Sequence, residues 1–197
     1  MRFRILNANP LYDYREACKI TQGIDLTMLQ NESKNVPADS VSYWIKQICA
    51  NHSTLRCIRF RLVDTRPKSV IMQIIRATKG HPQPEVQSSR PDWNNGKERS
   101  SNPYEDKLFM QDHTAESFIA MASQRLCMRT EERTRKFMEE MVDSLIHSSS
   151  NFLKAVGYCC APQCQKLGGK CSELQSCGRY PKLSDDIIAR YKEEENA

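Results

Sequence analysis

Glycine is scarce in this chain, which contains only seven glycines in 197 residues. Neither G-x-G-x-x-G nor G-x-x-x-x-G-K-[ST] occurs, so the usual glycine-rich loops that cradle dinucleotides and nucleoside triphosphates are excluded. Apolar runs are short, and no segment approaches the roughly 20 residues of a membrane-spanning helix. The N-terminal residues lack the apolar core of a secretory signal peptide. We therefore expect a cytoplasmic protein that does not enter a membrane.

Charge is plentiful but unevenly distributed. Hydrophobic residues make up 39% of the chain and charged residues 27%, a composition typical of a folded domain with a large solvated surface. The net charge is +5, and residues 54–100 hold ten Lys or Arg against four Asp or Glu. This local surplus predicts an anionic partner such as a phosphate ligand. Long basic runs are lacking, so we do not expect nucleic acid as the partner.

Apolar periodicity predicts strands and helices in a single domain over residues 1–197. The expected elements are a strand over 2–6, a helix over 37–49, a strand over 56–63, a helix with Pro67 in its first turn, a helix capped by Thr114, a helix capped by Thr130 and a short helix from Ser184. Residues 77–104 are expected to form a long irregular loop. The fold class is α+β, with an antiparallel or mixed sheet packed against helices.

A set of polar residues lies at the start of this loop and within it. Gln73 and Arg76 are three residues apart on a helical face that is separate from the apolar one, and the loop returns the chain to Ser88 and Arg90. Guanidinium groups bind phosphate through two hydrogen bonds, and amides can read the edge of a base. The pattern favours a nucleotide site. The alternative is that the arginines are solvated surface charges.

Nine cysteines are present, and five of them lie in the segment 157–180. Four thiolates can close a tetrahedral zinc site or hold an iron–sulfur cluster. The candidate ligands are Cys160, Cys164, Cys171 and Cys177. Their spacing matches neither paired zinc knuckles nor a ferredoxin, so structural zinc, a cluster, disulfides and plain thiols all remain open.

Several of these segments resemble the flavin-dependent thymidylate synthases. Residues 67–76 followed by Ser88-Ser89-Arg90 resemble that family's helix ending in Q-L-V-R-H-R and its loop ending in S-x-R. Residues 124–129 are similar to its R-L-C-x-R-A-Q-W-E-I-R helix. Residues 164–179 resemble the cysteine-rich tail of some bacterial and phage members. The resemblance implies a ThyX-like fold, shortened between Arg90 and Arg125 relative to the family.

The resemblance also implies roles for particular residues. Arg125 and Arg76 would be catalytic, with Arg125 stabilising negative charge on a carbonyl of the pyrimidine ring. The substrate site would consist of Gln73, Arg76, Gln87, Ser88, Ser89, Arg90 and Arg125. The flavin would contact Arg76, Thr78, His81 and Arg129. The family's R-H-R reads Arg76-Ala77-Thr78 here, which favours retention of nucleotide binding over retention of flavin chemistry.

The implied activity is the transfer of a folate-derived one-carbon unit to the 5-carbon of a pyrimidine deoxynucleoside monophosphate. The product would be thymidylate, or the hydroxymethyl derivative of dUMP or dCMP. The implied cofactors are FAD, methylenetetrahydrofolate and NADPH, with structural zinc as a further candidate, and the implied assembly is a homotetramer. The alternative is a non-catalytic module of the same fold that binds a nucleotide or a protein.

Overall fold

A computed structural model describes residues 1–23, 38–77, 84–88 and 102–195 of the chain. These residues form four strands and eight α-helices, together with a 3₁₀ helix over Ser53–Cys57. The strands are β1 (Arg2–Ile5), β2 (Phe60–Pro67), β3 (Glu85–Val86) and β4 (Asp106–His113). The helices are α1 (Pro10–Thr21), α2 (Val41–Cys49), α3 (Lys68–Ala77), α4 (Ala115–Arg125), α5 (Glu132–Ile146), α6 (Asn151–Tyr158), α7 (Gln163–Lys166) and α8 (Leu183–Glu195). The predicted α+β class is confirmed.

The four strands form one antiparallel sheet in the order β1-β2-β4-β3. The longest pairing joins β2 to β4 over eight residues, from Phe60 opposite His113 to Pro67 opposite Asp106. Arg61 and Asp112 face each other across this pair, and the guanidinium donates to both carboxylate oxygens, at 2.6 and 2.8 Å. Such cross-strand pairs fix the register of a sheet.

One face of the sheet is buried against helices. Phe60 and Leu62 of β2 are fully buried, as is Phe109 of β4, while the alternate residues of both strands are more exposed. The ring of Phe60 packs 5.6 Å from that of Phe118 on α4, and Phe109 packs 6.1 Å from Phe137 on α5. The core therefore lies between the sheet and α4, α5 and α6, and it holds α3 and α4 in fixed positions.

Two helix starts can be compared with their predicted caps. Thr114 caps α4 as predicted. Its hydroxyl accepts a hydrogen bond from the Ser117 amide, and the Ser117 hydroxyl accepts one from the Thr114 amide. The prediction for α5 is wrong by one residue. Glu131 is the cap, and its carboxylate accepts from the amides of Arg133 and Thr134. The Thr130 hydroxyl instead donates to the carbonyl of Gln124, at 3.0 Å.

Four other predicted boundaries need correction. The helix expected from residue 37 begins at Val41, because the Ser40 side chain caps it by accepting from the Tyr43 amide. The strand expected over 56–63 runs over Phe60–Pro67, since the 3₁₀ helix occupies its first part. Pro67 ends β2 and precedes α3, whose first amides donate to the carbonyls of Glu105 and Pro103. The last helix starts at Leu183, one residue before Ser184.

Some elements were not predicted from the sequence. Helices α1 and α6 and strand β4 belong to this group, and β3 lies within the expected loop over 77–104. In the part of the chain that the structure describes, no helix combines the length and apolar character needed to cross a bilayer.

Candidate anion-binding site

A cavity of about 700 Å³ lies where α3, the connection from α4 to α5 and the cysteine-rich segment meet. This volume is in the range that binds small molecules. Gln73 contributes from α3, and residues 123–131 contribute from the end of α4 and the segment leading into α5. The cysteine-rich segment contributes residues 162–164, 171–173, 177, 179 and 180. The cavity thus unites two of the segments singled out in the sequence with the cysteine-rich tail.

Arg125 is the most unusual residue of this lining. It is the last residue of α4 and is partly buried, and its Nε atom is fully buried with no hydrogen-bond partner. Burial lowers the pKa of Arg125, and the positive charge of nearby Arg76 lowers it further. Both causes disfavour the charged form of a guanidinium. Among the residues that the structure describes, no carboxylate forms a salt bridge that would stabilise this cation.

Arg76 lies on α3 close enough to Arg125 for the two charges to repel each other. It is exposed, one turn beyond Gln73, on the part of α3 that does not face the core. Among the described residues, neither Arg76 nor Arg125 forms a salt bridge with a carboxylate. Two neighbouring guanidinium groups, one of which lines the cavity, form an arrangement that a bound anion would stabilise.

The acidic residue nearest in sequence does not neutralise this charge. Glu131 lines the cavity, but its carboxylate accepts from the amides of Arg133 and Thr134 and from the Thr134 hydroxyl. Burial alone would raise the pKa of Glu131, yet these hydrogen bonds outweigh it, so its pKa is lowered and the carboxylate stays ionised as a helix cap. Its function in the structure is to start α5.

The remaining predicted residues divide into three groups. Gln73 and Arg125 line the cavity together with Arg129, whose guanidinium donates to the Gln175 side chain at 2.8 Å. The structure does not bring Gln87 or Ser88 to the cavity lining, because residues 85–88 follow the edge of the sheet, where the Gln87 amide donates to the Leu108 carbonyl. Four predicted residues lie outside the described part of the chain: Thr78, His81, Ser89 and Arg90.

The cysteines group differently from the predicted set. Cys164, Cys171 and Cys177 line the cavity with Cys127, whereas the Cys160 thiol donates to the Val156 carbonyl within α6. All nine cysteines are free thiols. In the described residues, no three His, Cys, Asp or Glu side chains come close enough to hold a metal ion. Zinc ligation by the original four cysteines stays a prediction.

Sequence reasoning missed part of this lining. Cys127 stands inside the motif compared with the family's R-L-C-x-R, and its neighbours Arg125 and Arg129 had been singled out. Arg179 and Tyr180 come from the tail, where nothing in the local pattern indicates a ligand. Their place in the cavity follows from tertiary packing, which no local spacing reveals.

The described residues do not form a cradle for a flavin. Ala77, which stands where the family that the sequence resembles has a histidine, is only 3% exposed and belongs to the core. Arg129 lines the cavity but already binds Gln175. Tyr180 is the only aromatic ring in the described lining on which an isoalloxazine could stack. These residues fit an anion better than they fit a flavin.

Comparison with known proteins gives no match to any protein family, curated protein or solved structure.

Proposed function

We propose that the chain binds a pyrimidine deoxynucleoside monophosphate in this cavity and transfers a one-carbon unit to the 5-carbon of the base. The observation that carries the proposal is the uncompensated pair of Arg76 and Arg125 beside a cavity of small-molecule size. Because both guanidinium groups lack a described carboxylate partner, an anionic ligand would neutralise a repulsion present in the free protein.

The exposures of the two arginines suggest different tasks. Arg76 is exposed at the edge of the site, where a guanidinium can grip a phosphate through two hydrogen bonds. Arg125 is partly buried and lines the cavity. In this less polar environment it would stabilise negative charge on a carbonyl of the pyrimidine ring, which makes the 5-carbon nucleophilic.

Gln73 provides a means of recognising the base. Its amide has both donor and acceptor atoms, and it lines the cavity one helical turn before Arg76. A pyrimidine edge also carries donors and acceptors side by side, so a single amide can bind it through two hydrogen bonds. Either uracil or cytosine fits this description.

The two candidate products differ in what they require. Transfer of a one-carbon unit at the oxidation level of formaldehyde gives a hydroxymethyl group without a reductant, whereas a methyl group requires two further electrons. NADPH and FAD, which the resemblance implies, would supply them. Since the described residues do not cradle a flavin, the site favours the hydroxymethyl product, with methylenetetrahydrofolate as the donor.

The activity is tested by incubating the protein with dUMP or dCMP and methylenetetrahydrofolate, with and without FAD and NADPH. Mass spectrometry of the nucleotide distinguishes a methyl from a hydroxymethyl product. We expect a product in the absence of FAD. The Arg125→Met variant should lose it, and Arg133→Met, which alters an exposed arginine on α5, should retain it. Failure to form either product would refute the proposed one-carbon transfer.

A second candidate is a nucleotide-binding module without catalysis. The observation that favours it is that a buried alanine, Ala77, stands at the end of α3 where the resembling family has its flavin-binding histidine. Nucleotide binding without turnover under all of these conditions would establish it. The homotetramer implied by the resemblance stays a prediction, which light scattering of the purified protein would check.

A further inference from the structure

Helices α2 and α6 pack side by side and run in the same direction. Near their beginnings, the Asn151 side chain donates to the Asp39 carbonyl at 2.9 Å. Further along, the rings of Trp44 and Phe152 meet edge to face, with centroids 5.1 Å apart. The helices end at Cys49, the last residue of α2, and at Cys159, which caps α6. Parallel packing thus brings two cysteines together at the same end of the pair.

The two thiols lie close enough to interact. The side chains of Cys49 and Cys159 interact through a hydrogen bond. Cys49 is exposed, while Cys159 is partly buried. Burial raises the pKa of Cys159 to about 11, and its interaction with Cys49 also raises it. Cys49 is therefore the thiol that a solvent oxidant reaches, and the partly buried Cys159 is its neighbour.

Other cysteines near this pair are engaged elsewhere. Cys160 directs its thiol to the Val156 carbonyl at 3.2 Å, and burial raises its pKa to about 12. Cys18 belongs to α1, its thiol donates to the Thr54 hydroxyl of the 3₁₀ helix at 3.5 Å, and its neighbouring sulfur is that of Cys57. Contact and exposure together single out Cys49 and Cys159.

We propose that Cys49 and Cys159 form a reversible disulfide that links α2 to α6 when the protein meets a small-molecule disulfide such as oxidised glutathione. The Cys49 thiolate attacks one glutathione sulfur, and the glutathione S–S bond breaks to release one glutathione thiolate. Cys159 then loses its proton and attacks the Cys49 sulfur, which releases the second. Two cysteine thiols are oxidised by two electrons, and one oxidised glutathione is reduced to two thiols.

The link lies next to the proposed site but does not depend on its function. Three residues after Cys159, Pro162 begins the segment that lines the cavity with Gln163 and Cys164. A disulfide at Cys159 would tie the start of this segment to α2 and restrict its motion. The mobility of this part of the cavity wall would then depend on the redox state of the two cysteines.

The test exposes the reduced full-length protein to a series of glutathione redox buffers, then traps free thiols by alkylation. Mass spectrometry of a non-reduced digest maps the links. We expect the main product to be a Cys49–Cys159 link with loss of two free thiols, reversed by dithiothreitol. Cys159→Ser should instead accumulate a Cys49–glutathione adduct, because the resolving thiol is absent. Cys160→Ser is the matched control and should retain the Cys49–Cys159 link.

Three results would overturn the proposal. One is a main link between any other pair, such as Cys18 and Cys57. Another is a Cys49–Cys160 link that forms as readily as the expected one. The third is full retention of both thiols in the most oxidising buffer. Since the decisive result comes from the unaltered protein, it does not rely on a variant folding correctly.

Discussion

Arg76 on α3 and Arg125 at the end of α4 place two positive charges within repulsive range of each other. In the described part of the chain, no carboxylate forms a salt bridge with either one. The neighbouring Glu131 is held by the first turn of α5. A folded protein that keeps such a pair gains stability when an anion binds, and this property links the geometry to the proposed substrate.

The first prediction concerns Arg125→Met. Loss of this charge removes a repulsion, so the ligand-free protein should be slightly more stable, by less than about 1 kcal/mol because the site is partly solvated. Affinity for dUMP should fall roughly 10- to 100-fold, since a charge-assisted hydrogen bond is lost. Urea unfolding and titration calorimetry measure the two effects. Arg133→Met is the control for loss of an arginine, and equal dUMP affinity in all three proteins would contradict the assignment.

The second prediction concerns the flavin. When FAD is added to the purified protein and the mixture is desalted, we expect no visible absorption from bound flavin, because Ala77 is buried and Arg129 is bound to Gln175. Circular dichroism of the same sample confirms that the protein is folded. A retained flavin spectrum would show that the described residues are not the whole cofactor site, and it would favour thymidylate as the product.

The third prediction concerns the cap of α5. Glu131→Ala removes the acceptor of the Arg133 and Thr134 amides and leaves the buried Thr134 hydroxyl without its partner, so the free energy of unfolding should fall by about 1–2 kcal/mol. Glu132→Ala, which removes an exposed carboxylate paired with Lys136, is the neighbouring control and should have little effect.

The effect of this cap depends on pH. The pKa of Glu131 is lowered in the folded state, so its contribution is present above the unfolded value of about 4.3 and is lost as the pH falls through the folded value. The difference in stability between the native protein and Glu131→Ala should therefore shrink as the pH is lowered from neutral to below the unfolded value. A constant difference would show that the carboxylate charge is not what stabilises the helix.

The fourth prediction concerns the close approach of α5 and α6. A Cβ atom on Gly157 would lie 2.9 Å from Cγ1 of Ile146 and 3.1 Å from Cβ of Leu145. Gly157→Ala should lower the free energy of unfolding, because overpacking costs about 1–3 kcal/mol and exceeds the roughly 1 kcal/mol that alanine adds to a helix. Gly157→Ala should cost less stability in the Ile146→Ala background than it does in the native protein, because the clashing side chain is then absent. Thermal unfolding of the four proteins measures this coupling, and simple additivity would contradict the steric account.

Local pattern predicted much of the fold. The apolar spacing of Phe137, Met141 and Leu145 identified the buried face of α5, and the alternation of Phe60 and Leu62 identified that of β2. These residues follow the period of their element because one face alone is buried, so the sequence carries the signal directly.

Strand β4 shows where local pattern fails. Its buried positions include Lys107, Gln111 and His113, so the alternation of polar and apolar residues does not mark the inward face. The Lys107 ammonium is tolerated there because it donates to the carboxylate of Glu105, two residues earlier, at 2.8 Å. Helix α1 was missed for a related reason, since Tyr14 is its only fully buried residue.

The candidate site was predictable only in part. Gln73, Arg76 and Arg125 were identified from spacing and motif resemblance, and the structure places Gln73 and Arg125 at one cavity with Arg76 beside them. The contribution of Cys127 and of the tail depends on packing between segments far apart in sequence. Periodicity holds no information about that packing.

The decisive measurement is a calorimetric comparison of dUMP with deoxyuridine, which lacks the phosphate, using the native protein and Arg76→Met. If Arg76 grips the phosphate, the native protein should bind dUMP roughly 10- to 100-fold more tightly than deoxyuridine, and the variant should show little preference. Equal affinity of the native protein for the two ligands, or no binding of dUMP, would contradict the proposal that this cavity takes a nucleotide through its arginine pair.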